Sequence, residues 1–136
     1  MRVLRVLCEI RDGISDLAGS RESAVIGEAI DIEFIRRQVE IGVYEWDDFK
    51  RLVGSVVGVI MRIQGPKRDI ETQDLWRKLG SNMLAVNADR NIMICKALEF
   101  LLDRVNILRL DAANARCVVC FLFASPYIAC YYYCYS

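Results

Sequence analysis

Two cysteine pairs, Cys117-x2-Cys120 and Cys130-x3-Cys134, are the residues in this 136-residue chain whose type and spacing look most like chemistry. Four thiolates at short spacing are the ligand set of an all-cysteine structural zinc site. The nine residues between the pairs, FLFASPYIA, speak against it, because they lack the glycines and polar turn formers that fold a zinc knuckle. No metal or other cofactor is therefore assigned. The chain has no histidine, which removes Ser-His-Asp and Cys-His nucleophilic sites, His-ligated zinc and imidazole bases. The opening MRVLRVLCEIRDG is interrupted by charge throughout, unlike the unbroken apolar run of a secretory signal. The cysteines accordingly read as reduced thiols of an intracellular protein.

Other pairings carry less. Asp47 and Asp48 are neighbours, and on a helix neighbours point about 100° apart, so they share neither a proton nor a metal easily. They suit the first turn of a helix, where the dipole favours negative charge. Dibasic pairs recur at Arg36-Arg37, Lys50-Arg51, Lys67-Arg68 and Arg77-Lys78, but 18 basic side chains are balanced by 18 acidic ones. A neutral chain has no electrostatic reason to seek nucleic acid, and none is expected as a partner. Gly-rich phosphate loops are absent. Two stretches remain: Gln64-Gly65-Pro66-Lys67-Arg68-Asp69, read as an interhelical loop where binding residues often sit, and Asn114 in LDAANA. Asn is a weak helix former, and in a close-packed alanine-rich turn it would need a hydrogen-bond partner.

The elements that must position these residues are all helical. Val3, Leu7, Ile10, Ile14 and Leu17 recur at steps of three or four, the mark of one helical face. Ser20 is read as the cap of a short second helix and Asp31 as the cap of a third, with Ile32, Ile35 and Val39 inward and Gly42 closing it in a left-handed turn. Glu33 with Arg37 and Arg36 with Glu40 have the spacing of outward ion pairs. EWDDFKRLVGSVVGVIMRIQ is read as helix despite its valines, because the apolar stretch is long and lacks strict alternation. Gly54 and Gly58 within it could admit a close neighbour. Gly65-Pro66 breaks the chain, Asp69 is expected to cap a helix over about residues 70–86, and Asp89 to cap the last and longest. There Ile94, Leu98, Leu101, Leu102, Val105, Leu108 and Ala112 form the apolar stripe, while Arg90, Lys96, Glu99, Asp103 and Arg109 lie at wetter positions. The expected fold is an all-α bundle of five or six helices.

Three ordered blocks of this body resemble the T-complex protein 11 family, which includes the fungal suppressors of cAMP-dependent kinase loss. Ile35-Arg36-Arg37-Gln38-Val39 with Gly42 and Trp46 is similar to the family pattern L-R-x-Q-[IV]-x-x-G-x-x-x-W. Gly65-Pro66-Lys67-Arg68-Asp69 is similar to A-P-x-R-D, with glycine in place of alanine, and Arg109-Leu110-Asp111-Ala112-Ala113-Asn114 to [KR]-L-D-x-A-N. The resemblance implies a non-enzymatic helical protein of the cytoplasm, with the nucleus as a second compartment, linked through protein partners to cAMP and its kinase. The family has no established catalytic residue to carry over. Lys67, Arg68 and Asp69 are the candidate binding residues, and Gly42, Trp46, Pro66, Asp111 and Asn114 the structural motif positions.

The resemblance covers residues 1–116, whereas 117–136 differs in kind. It holds no charge, four of the six cysteines and seven of the thirteen aromatic residues. Family members continue through further helices past the LDxAN element. The tail is therefore read as an end produced by translation through an intron or in another frame, which makes the chain a truncated member. A tail anchor is the alternative: twenty uncharged residues span about 30 Å as a helix, with Arg116 at one edge and Tyr131 to Tyr135 at the other.

Overall fold

A computed structural model describes residues 2–85 and 87–124. Six helices account for nearly all of them: α1 (Arg2–Leu17), α2 (Ser20–Ala29), α3 (Ile32–Glu40), α4 (Trp46–Ile63), α5 (Pro66–Leu84) and α6 (Arg90–Ala124). The all-α expectation holds, including the valine-rich α4.

The core lies between α1, α4 and α6. Leu7, Ile10 and Ile14 of α1 share one core with Val53, Val56 and Ile60 of α4 and Leu101 and Val105 of α6, all at or near zero exposure. Spacings of three and four put each set on one helical face. In the first turn of α1 Leu4 is buried and Val3 is exposed, although Val3 has the better helical phase with Leu7, Ile10 and Ile14. α2 adds Ile26, and Ile30 closes behind it. The Ser23 hydroxyl ties α2 to α1 by donating to the Ser15 carbonyl at 3.2 Å.

Helix ends follow the residues that can satisfy them. Asp31 caps α3 by accepting from the Phe34 amide at 3.1 Å, and Asp89 caps α6 by accepting from the Asn91 amide at 2.9 Å. Gly42 takes φ +76°, the left-handed geometry that ends helices cheaply only with glycine. At the start of α4, Asp48 accepts from the Glu45 amide at 2.9 Å. Other expectations shift. Ser20 lies inside α2, whose cap is Gly19. Val39 is exposed, so α3 buries only Ile32 and Ile35. The ion pair on α3 is Glu33–Arg36 at 3.1 Å, one residue closer in sequence than the spacing read from the chain. α5 starts at Pro66, with Gly65 as cap. Proline has no N–H to lose at the first helical position, so the residue read as a break begins the next helix, and Asp69 lies in its first turns.

The close helix contact is at Gly13. A Cβ there would lie 2.7 Å from Val105 Cγ1 and 2.7 Å from Arg109 Nη2. At Gly54 it would meet Trp76 at an ordinary 3.8 Å, and at Gly58 nothing within 4 Å. The two α4 glycines do not mediate close approach, so that expectation is corrected: α1 and α6 are the pair held near by a missing side chain.

α6 runs unbroken across the composition change at Cys117 as far as Ala124. From Arg109 to Leu122 none of its side chains is buried. Among the described residues no helix is long and apolar enough to cross a membrane, and no three metal-ligating side chains converge. Cys130, Cys134 and the tyrosine cluster of the tail lie outside the described residues.

These glycines give a signed test. Gly13→Ala gains roughly 1 kcal/mol of helix propensity but drives a methyl against branched Val105, and overpacking costs about 1–3 kcal/mol; a net loss of about 1 kcal/mol is expected. Gly58→Ala meets open space and should stabilise by about 0.5–1 kcal/mol. Urea unfolding should move the two midpoints in opposite directions.

Candidate functional site: a polar clamp joining α4, α5 and α6

The turn between α4 and α5 is as short as two helices allow. Gln64 ends α4, Gly65 caps α5 and Pro66 opens it. Gln64 is shared: its Oε1 accepts from the Thr72 hydroxyl at 3.0 Å and its Nε2 donates to Asp69 at 2.8 Å. The side chain that closes one helix thus fixes the first two turns of the next.

Thr72 is fully buried and also accepts from Arg104 Nη1 at 3.2 Å. Arg104 is 5% exposed and sits in the apolar stripe of α6, one turn from Leu101 and Leu108. Its Nη2 donates to Glu71 at 3.1 Å, while its Nε has no partner among the described residues. Arg68 completes the chain of contacts. Its Nε and Nη2 donate to the two carboxylate oxygens of Asp111 at 3.1 and 3.0 Å, and its Nη1 lies 3.7 Å from Glu71. A paired fork of this kind fixes direction as well as distance. Asp69, Gln64, Thr72, Arg104, Glu71, Arg68 and Asp111 therefore form one network. Beside it, Trp76 stacks on Phe100 with ring centres 6.3 Å apart.

The electrostatics follow from these contacts. Hydrogen bonds from Arg68 hold the Asp111 carboxyl below the usual range, and those from Arg104 do the same for Glu71. Arg68 is held more firmly protonated by its bonds to Asp111. Arg68, Glu71 and Asp111 are each engaged by an opposite charge, which stabilises their ionised forms rather than preparing them for proton transfer. The Arg68–Asp111 side chains are about a third exposed, so water and salt screen the pair and its worth is mainly positional.

Of the residues singled out in the sequence, Arg68, Asp69 and Asp111 meet here, and Pro66 sets the start of the helix that carries two of them. Lys67 is exposed and outside the network. Asn114 is exposed too, so no desolvation demands a partner for it, contrary to the expectation of a close-packed turn. Gly42 and Trp46 belong to a different region, the α3–α4 turn, where Trp46 stacks on Phe49 at 5.7 Å. Sequence reading missed Arg104, Thr72 and Glu71. One signal was present: Arg104 interrupts the apolar phase of α6 at a position where leucine or valine is expected.

The bundle and its clamp define a class: an all-α protein whose converging charges are spent on holding helices in register. A comparison with protein families makes this specific. Residues 1–117 match the family model T-complex protein 11, and the chain belongs to that family. No curated protein and no solved structure matches it.

The depressed Asp111 and Glu71 carboxyls stabilise the fold above their unfolded values, about 3.9 and 4.3, and that contribution is lost as pH falls through the lower folded values. The stability gap between the native chain and Asp111→Asn should be present at pH 7 and close below about pH 4 in urea titrations. Arg104→Ala should cost about 2 kcal/mol, because it removes the donor to Thr72 and Glu71 and empties the volume of the stem. Arg104→Met loses the same hydrogen bonds but keeps the stem, and should cost less than Arg104→Ala by the packing of that stem, about 1 kcal/mol.

Proposed function

We propose that this chain is a non-enzymatic helical interaction protein in signalling linked to cAMP and its kinase, with the outer half of α6 as its contact surface. The observation that carries the reading is that half of α6 itself. From Arg109 onward no described side chain is buried, and Leu110 and Val118 are 57% and 54% exposed. Apolar side chains left open along a helix mark a contact surface. The clamp supports it from the other side. The first turn of α5, bearing exposed Lys67, meets α6 at Asp111, where this stretch begins. A partner would thus find a braced helix with a cation beside its base. The cAMP link rests on membership of the T-complex protein 11 family together with the resemblance described above. The proposed location is the cytoplasm, with the nucleus as a second compartment.

The test is binding between the purified chain and purified cAMP-dependent kinase, with regulatory and catalytic subunits assayed separately by calorimetry. Association with one subunit is expected. A double Leu110→Asp, Val118→Asp variant should weaken it at least about tenfold, and Lys67→Glu by a smaller factor, with thermal midpoints unchanged because all three residues are exposed. Absence of binding to either subunit would remove the kinase link. Undiminished binding by the double variant would remove the contact surface.

A further inference from the structure

At the opposite end from the clamp's first turn, a groove of about 360 Å³ opens between α1, α3, α4 and the start of α6. This is the size of a small-molecule site, for which about 300–1,000 Å³ is usual. Its floor is the core itself: Leu4, Leu7, Ile35 and Phe49 are buried side chains whose edges reach it. Tyr44 and Trp46 stand on its wall because the left-handed turn at Gly42 redirects the chain there. Gly42 and Trp46, two motif positions that the clamp does not use, thus shape one concave surface.

The polar groups of the groove are few. Tyr44 has its hydroxyl pushed up to about 12, by burial and then by the Asp48 charge, so it is a neutral donor at physiological pH. Arg90 lies over Trp46 with its guanidinium carbon 6.0 Å from the ring centre. Among the described residues Arg90 makes no ion pair within 4 Å, and the Asp47 carboxylate whose field it shares is bonded by Lys50 at 2.9 Å. An unpaired guanidinium at the rim of an aromatic-lined groove is matched by a carboxylate, to which it can donate two parallel hydrogen bonds. Glu45 lies on the same rim and repels negative charge, which leaves the Arg90 side as the place for the occupant's carboxylate and disfavours a dianion.

We infer that this groove binds a small monocarboxylic acid with an aromatic or aliphatic body, its carboxylate held by Arg90 and its body laid against Trp46 and Phe49. Shape selects the apolar body, and Arg90, the cation among the groove's lining residues, selects a carboxylate. This site lies apart from the proposed α6 contact surface, and each can fail without the other.

The ¹⁵N-labelled 136-residue chain titrated at neutral pH with 4-phenylbutyrate, 4-phenylbutyramide and 4-phenylbutylamine tests the inference. The acid should shift the Trp46 indole and Asn91 amide signals and bind at least about tenfold more tightly than the amide, as expected for a charge-assisted contact. Arg90→Met, at an exposed position that leaves the fold intact, should erase that preference. Ile94→Trp, which fills the groove, should weaken all three compounds. Equal binding of acid and amide, tighter binding of the amine, or an Arg90→Met variant that keeps the preference overturns the inference. So does the absence of any shift at millimolar acid.

Discussion

A guanidinium placed inside an apolar helical stripe has to be answered by other groups, and the way Arg104 is answered organises one side of this protein. Removing an ion from water costs several kcal/mol unless hydrogen bonds and an opposite charge replace its hydration. Thr72 and Glu71 supply that replacement from α5. α5 itself buries little, only Thr72, Leu79 and Met83 over nineteen residues. Apolar adhesion alone would let such a helix slide or rotate on its neighbours. The directional contacts to Arg104 and Asp111 remove that freedom, and Gln64 extends the constraint back into α4. Adhesion and alignment are thus supplied by different residues.

Elsewhere the division is reversed. α1, α4 and α6 adhere through close-packed leucine, isoleucine and valine, and their alignment comes from shape. Gly13 is the sharpest instance, since the Val105 and Arg109 side chains occupy the volume a Cβ would take. α3 is the weakest member. It holds by Ile32 and Ile35, and the Asp31 cap and the Gly42 turn specify where it begins and ends.

What could be read from the chain and what could not divide along the same line. Local rules placed Asp31, Asp89 and Gly42 correctly, because caps and left-handed turns depend on residues within four positions. The α4 helix was legible despite its valines for the same reason: its length and lack of alternation are local properties. The start of α5 was misplaced because proline both stops a helix and starts one, and only the neighbouring Gln64 contact distinguishes the two. The contact role given to Gly54 and Gly58 failed because which glycine faces a neighbour is decided by packing. Arg68 and Asp111 were each visible as motif positions. Their pairing was not, since 43 residues separate them and nothing in either block names the other. The non-enzymatic expectation came from resemblance and residue types alone.

α6 has a mechanical implication. Thirty-five residues of helix make a rod of about 52 Å. Its first turn borders the groove, its middle is gripped by α1, α4 and α5, and its far turns stand clear of the core. The buried grip runs from Met93 to Leu108, so the groove end of the rod is anchored in the core. The sixteen residues from Arg109 to Ala124 project past that grip for about 24 Å, and the Arg68–Asp111 contact braces them at their base.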